Sequence, residues 1–210
     1  VTVAYHDDLR TALLDNLGRD WLVFLPRWNQ IRNGTDWRGK GKPAALLLHH
    51  TAGAATDSTN PNHPGNQRGA NAGQVAFIQN HYRVPAANFT LDRDGTVYIH
   101  NAYPIWHAGL GTFRGKRPWS ALGIPDNLGN NYMLGVEIVS KGLKQDFTEA
   151  QKDSLVHLLR ACRDASGWES IGTLRRPRHK DWTSRKVDIK YGDADVAKWI
   201  AQYGFTQAAA

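Results

Sequence analysis

The chain has 210 residues, 41% hydrophobic and 21% charged, which fits a globular protein of one domain, or one domain with an attached N-terminal segment, and excludes a disordered chain. A formal net charge of +7 favours a polyanionic partner, and on charge alone nucleic acid, anionic membrane and acidic cell-wall polymer all qualify. No apolar run of about 18 residues occurs, which excludes a membrane-spanning helix, and a single cysteine excludes an internal disulfide framework.

Val1 follows no charged-then-apolar leader, so a signal peptide is absent or already removed. Together with the Ala208–Ala210 tail, that start fits a domain cut from a longer chain. Residues 1–42 read either as an arm packed on the core or as the remnant of a linker. Within them, leucine spacing predicts a short helix over Asp7–Asn16. Trp21–Pro26 is apolar, and Arg27–Lys42 is the polar, basic kind of sequence found in surface connections. Pro43–Thr51 is an uninterrupted apolar run of strand length, as expected of a strand covered on both faces. Thr51–Arg68, rich in Gly, Asn, Pro and Thr, is expected to form a loop over the site. A helix is predicted over Gly69–His81. Phe89–Leu91 and Thr96–His100 flank Asp92-Arg93-Asp94-Gly95, a hairpin signal.

Asn101–Asn131 has no regular pattern, and a stretch of that length inside a compact domain is usually functional. Tyr132–Ser140 alternates around Glu137 as a strand does. Thr148–Ser166 is the clearest helix: Thr148 and Gln151 stand at capping-box positions, while Leu155, Leu158, Leu159 and Cys162 share a face. Cys162 thus reads as a small buried hydrophobe, and Gly167 ends the helix. Arg175–Lys190 is expected as a basic loop and Asp193–Tyr203 as a short closing helix. Strands interleaved with helices predict an α/β fold with a central mixed sheet, and 43–205 is expected to be the catalytic domain.

The residues with chemistry to offer lie in four of these stretches. His49 and His50 close the apolar strand, and alternation allows only one of them to face a given site. His179 and Asp188 add an imidazole and a carboxylate in one loop. Two imidazoles and a carboxylate are a standard hydrolytic zinc set that leaves one position open. Either loop residue by itself is more often a solvated surface group. Lys186 reads as a solvent-facing lysine of a basic cluster or as a cation that stabilises a developing oxyanion. Glu137, inside GVEIV, is a buried carboxyl with a partner or a base at a cleft, and an unpaired buried glutamate is costly enough to favour the cleft. Trp106-His107-Ala108-Gly109 offers a flat apolar face and a hydrogen-bonding ring for a sugar or a peptide stem. Its tryptophan also suits a lid on the core. His6, His63, His81, His100 and His157 show no partner pattern and read as structural or surface groups.

LLLHHTAG, NFTLDRDGTVY, IWHAG, LGVEIVS and the pair His179…Lys186-Val187-Asp188 follow one another in this order. So ordered, they resemble the zinc-dependent N-acetylmuramoyl-L-alanine amidases, a family that includes phage endolysin amidases, muropeptide-trimming amidases and peptidoglycan recognition proteins. The resemblance runs from about Ala44 to Trp199. It implies a mixed sheet flanked by helices with Zn2+ in a surface groove, held by His49, His179 and Asp188. It also implies Lys186 as the oxyanion-stabilising cation and Glu137 as the acid/base. Trp106, His107, His50 and Asn88, which opens NFTLDRDGTVY, are the expected substrate-binding residues. Two departures from the family pattern stand out. Ala87 occupies the position where other members carry a tyrosine, which leaves the proton work to Glu137. Trp182-Thr183-Ser184-Arg185 replaces the usual A-P-G before the lysine.

The resulting expectation is a monomeric zinc hydrolase that cleaves the amide between N-acetylmuramic acid and L-alanine in peptidoglycan. A phage endolysin acting on the bacterial wall is expected first and a cytoplasmic muropeptide-recycling amidase second. A peptidoglycan-recognition module that binds without cutting is the main rival. Nucleic-acid binding ranks last, because the chain lacks a helix-borne basic face and an aromatic-laced binding strand.

Overall fold

The computed structural model describes residues 5–30, 36–38, 41–81, 83–204. Parts of the expected connection over 27–42, residue 205 of the expected domain and the Ala208–Ala210 tail lie outside these. The elements in chain order are α1 (Tyr5–Leu17), β1 (Leu22–Phe24), β2 (Ala45–His50), α2 (Ala72–Asn80), β3 (Phe89–Leu91) and β4 (Val97–Ile99), then α3 (Gly129–Tyr132), β5 (Met133–Ile138), α4 (Glu149–Ser166), α5 (His179–Trp182) and α6 (Asp193–Tyr203). The five strands form one mixed sheet in the order β1-β4-β3-β5-β2. Only the β3–β4 hairpin is antiparallel. The expected α/β class with a mixed sheet is the one observed.

Strand alternation divides the sheet into two faces. Leu46, Leu48, Phe89, Leu91, Leu134, Val136 and Ile138 turn to one side, into a core they share with residues of α1, α4 and α6. Ala45, Leu47 and Met133 turn to the other, where Ala108, Phe113 and Trp182 cover them. The first face is closed by helices. The second is closed mostly by the irregular stretch 101–131 and by α5. Irregular backbone gives fewer ready-made contacts than a helix, and this is the face that carries the groove.

Local chemistry explains where most elements start and stop. Thr148 Oγ1 accepts from Gln151 N–H at 3.1 Å, and the Gln151 side chain accepts from Thr148 N–H at 3.1 Å, completing the capping box of α4. Gly167 takes the left-handed conformation, φ 70°, that ends it. In the hairpin, Gly95 has φ 94°, and a Cβ there would lie 2.9 Å from Ser154 Oγ and 3.1 Å from Ala150 O. Glycine is therefore required twice over, by backbone angle and by the approach of α4.

Four sequence expectations change. Trp21–Pro26, noted only as apolar, supplies β1, which adds an edge strand beside β4. The helix expected over Asp7–Asn16 is longer, and its Leu9 and Leu13, both 0% exposed, enter the main core. The basic stretch Arg175–Lys190 is not a plain loop: His179 opens the one-turn helix α5. Thr51–Arg68 meets the groove at its start, where Thr51 and Ala52 line it. Its later part is tied down instead by Arg93, whose guanidinium donates to Asn66 Oδ1 and to Ser58 O at 2.7 Å.

Candidate metal centre and groove

His49 is the penultimate residue of β2, and in the parallel pairing with β5 it stands beside Glu137. In-register neighbours point to the same side of a sheet, so the two side chains share the groove face. Asp188 is brought in from the far end of the 179–188 segment, where Lys180 N–H donates to Asp188 O at 3.0 Å and folds the chain back on α5. Leu48 N–H donates to Pro177 O at 2.9 Å and docks this segment against β2. Residues separated by most of the chain thus meet at the carboxyl end of a parallel strand, where open α/β sheets commonly bind ligands.

The donor atoms converge. His49 Nδ1 lies 2.9 Å from His179 Nδ1 and 3.8 Å from Asp188 Oδ2, and His179 Nδ1 lies 3.2 Å from Asp188 Oδ2. Tetrahedral zinc with bonds of about 2.0–2.2 Å sets its ligands about 3.3 Å apart, so the spacing fits. Protonation fits as well. His179 Nε2 lies 3.3 Å from Ala108 O, and a carbonyl can only accept, so the ring proton sits on Nε2 and Nδ1 presents a lone pair. Burial, together with the nearby His179, His107 and Lys186, holds His49 well below the ordinary histidine pKa and so neutral. Burial raises the Asp188 carboxyl, but its histidine neighbours more than offset this and keep it low. Two neutral imidazoles and a carboxylate make a donor set suited to a divalent cation.

Glu137 lies beside this centre, and its Oε2 is buried without a hydrogen-bond partner. Burial first, then the Asp188 charge, push its pKa up to about 8, against the pull of Lys186. The groove, ≈ 470 Å³, is lined by Glu137, Asp188, His179, His50 and Lys186 and rimmed by Trp106 and Phe77. Trp106, 50% exposed, and Phe77, 54% exposed, present apolar surface to solvent at its edge. Sequence reading passed over Phe77 and Arg185 as groove residues, and both line it. Both belong to regular or basic stretches whose pattern gives no sign of a groove.

Of the expected site residues, His49, His179, Asp188, Glu137, Lys186 and Trp106 come together. His50 also reaches the groove, although it points to the opposite side from His49, because it is the last residue of β2 and the sheet ends there. Two expected substrate-binding residues are buried. Asn88 is 0% exposed. Its amide donates to Asn101 O and Tyr103 O, both at 2.9 Å, and accepts from Gly135 N–H at 2.8 Å, so it splices the hairpin to β5 and has nothing left for a ligand. His107 lines the groove wall but is buried, with both ring nitrogens engaged inside the protein.

A mixed α/β sheet with a metal-competent donor set and a buried carboxyl in one open groove defines the class. The sequence matches the N-acetylmuramoyl-L-alanine amidase family over residues 39–190. The chain belongs to that family. The fold is also that of several solved structures. AmpD, solved as a selenomethionine derivative, superposes with TM-score 0.53 at 18% identity, covering 85% of this chain and 92% of its own. The endolysin N-acetylmuramoyl-L-alanine amidase LysCS from Clostridium intestinale gives TM-score 0.51 at 14% identity, covering 91% and 99%. Drosophila PGRP-LB gives 0.51 at 12%, covering 90% and 97%. No curated protein sequence matches the chain. Among the described residues, no helix is long and apolar enough to cross a membrane.

Proposed function

We propose that the chain is a zinc-dependent N-acetylmuramoyl-L-alanine amidase that hydrolyses the amide between N-acetylmuramic acid and L-alanine in peptidoglycan. The observation that carries this reading is Glu137. A carboxyl oxygen buried without any hydrogen bond is costly, and its place beside the donor set suits a group that takes and returns a proton. A module that only binds has no use for such a group.

His49, His179 and Asp188 would hold the zinc, which would supply Lewis acidity toward the amide carbonyl and the attacking water. Glu137 takes the proton of the attacking water and delivers it to the departing alanine nitrogen. The Lys186 ammonium, in the same groove, offsets the negative charge that develops on the carbonyl oxygen. Trp106, half exposed at the rim, offers its face to the sugar or stem peptide. The biological setting in this reading is lysis of the bacterial wall by a phage endolysin. The net charge of +7 supports it, because a basic surface is held on an anionic wall.

Elemental analysis combined with digestion of purified walls by the wild type and by Glu137→Ala tests the proposal. One zinc per chain, new N-terminal alanine with the wild type and none with the variant are expected. Zinc without alanine release would point instead to a recognition module. Cleavage of soluble muropeptides but not of walls would point to a recycling amidase.

A further inference from the structure

His107 and Ala108 touch both candidate imidazole ligands from behind. His107 Nε2 lies 2.8 Å from Met133 O; the carbonyl can only accept, so Nε2 carries the ring proton. The ring is buried, and with its proton on Nε2 the other nitrogen, Nδ1, is left to accept. That atom lies 3.2 Å from His49 Nε2. The His49 proton must then sit on Nε2, and its Nδ1 faces His179 Nδ1 and Asp188 with a free lone pair. The next residue does the same for the second ligand, since Ala108 O accepts from His179 Nε2 at 3.3 Å.

Two further features hold this dipeptide in place. Asn130 Oδ1 accepts from the backbone N–H of both His107, at 2.9 Å, and Ala108, at 2.7 Å. Gly135 provides the room on the sheet: a Cβ there would lie 2.4 Å from His107 Nδ1 and 2.6 Å from Cγ. The ring is fastened at both nitrogens and cannot easily yield to it.

We propose that His107–Ala108, clamped by Asn130 and seated over Gly135, is a positioning bracket that sets the tautomer and orientation of both histidine ligands. His107 is thus a positioning residue and not a substrate contact. The inference rests on the metal reading above, and it places no new group against the substrate.

The test is zinc affinity at one fixed pH, by competition with a chromophoric chelator, for the wild type, His107→Phe, Gly135→Ala, Asn130→Ala and Asn130→Asp, each checked for folding by circular dichroism. Loss of a partner behind a metal ligand typically weakens binding about 10–100-fold, and that loss is expected for the first three variants. Asn130→Asp keeps an acceptor oxygen at this position and is expected to stay near the wild type. Folded His107→Phe and Asn130→Ala proteins that bind zinc as tightly as a zinc-binding wild type would overturn the bracket and leave the metal centre standing. A wild type that binds no zinc would overturn the metal reading, and the bracket with it. Equal loss in Asn130→Ala and Asn130→Asp would also count against the bracket, because the acceptor oxygen would not be what matters. If Gly135→Ala does not fold, His107→Phe and the Asn130 pair decide the question.

Discussion

Glu137, half-buried in the groove with one oxygen out of solvent, and the fully buried His100 make opposite demands on pH. Glu137→Gln removes the proton carrier and is expected to lower amide hydrolysis about 10²–10⁴-fold, measured as alanine release at saturating substrate. In the metal-free protein the same substitution is expected to raise stability at neutral pH by on the order of 1–3 kcal/mol. The folded pKa near 8 lies above the ordinary value of 4.5, so the unfolded chain ionises first and stability falls as pH rises through that window. Urea denaturation of the two proteins in chelator at about pH 5 and about pH 7.5, near the two ends of that window, checks this. A variant no more stable than the wild type at the higher pH would contradict it. His100 runs the other way. Its Nδ1 donates to Gln79 Oε1 at 2.6 Å, its Nε2 accepts from Thr90 at 2.8 Å, and burial lowers its pKa to about 3. Stability is therefore lost as pH falls from about 6.5 toward 3, with a slope of up to about 1.4 kcal/mol per pH unit from this residue. His100→Gln should flatten that slope in acid denaturation. Glu137 was legible as a carboxylate inside an apolar strand. The role of His107 was not, because both of its side-chain partners come from other elements.

At the scale of elements, local signals matched the structure where local chemistry was sufficient. The capping box of α4 and the Gly95 turn were readable because each depends on residues within a few positions. Thr148 also donates to Arg93 O at 2.7 Å, so Thr148→Ala should cost about 2 kcal/mol, the upper end for a lost cap; chemical denaturation measures it. Gly95→Ala should destabilise as well, through strain at positive φ and contact with α4. Short elements were harder. β1 has three residues, too few for a period to show, and it is a strand only because β4 offers an edge. α5 is a single turn inside a basic run, and it forms where Asp181 accepts from Arg178 N–H at 2.9 Å.

For the molecule as a whole, α1 is built into the core and does not trail from it. Tyr5 OH approaches Ser166 Oγ at 3.3 Å, Lys42 pairs with Asp8 at 3.0 Å, and Leu9 and Leu13 fill the space against α4. Leu13→Ala should cost about 2–5 kcal/mol by the usual cavity penalty, visible as a lowered denaturation midpoint, whereas a loosely attached arm would show almost no change. Arg93 and Asp146, both buried and 3.4 Å apart, join the 58–66 segment to the turn after β5. Asp146→Ala would leave the guanidinium charge uncompensated, at about 3–5 kcal/mol. Zinc at about one hundred times its Kd should stabilise the protein by about 2.7 kcal/mol, and Asp188→Asn should abolish most of that gain in a thermal melt.

Taken by itself, the sequence determined the elements whose signals are local: the apolar strand ending at His49, the D-G hairpin, the capped helix and the motif order that marks the family. Those features depend on neighbours a few residues apart, so periodicity and turn chemistry reveal them. Only the tertiary structure decided which side chains share the groove. It moved Asn88 into a buried splice and His107 behind His49, and it brought Phe77 to the rim. These outcomes depend on strand register and on carbonyl groups such as Met133 O and Ala108 O, which every residue carries and no sequence pattern singles out.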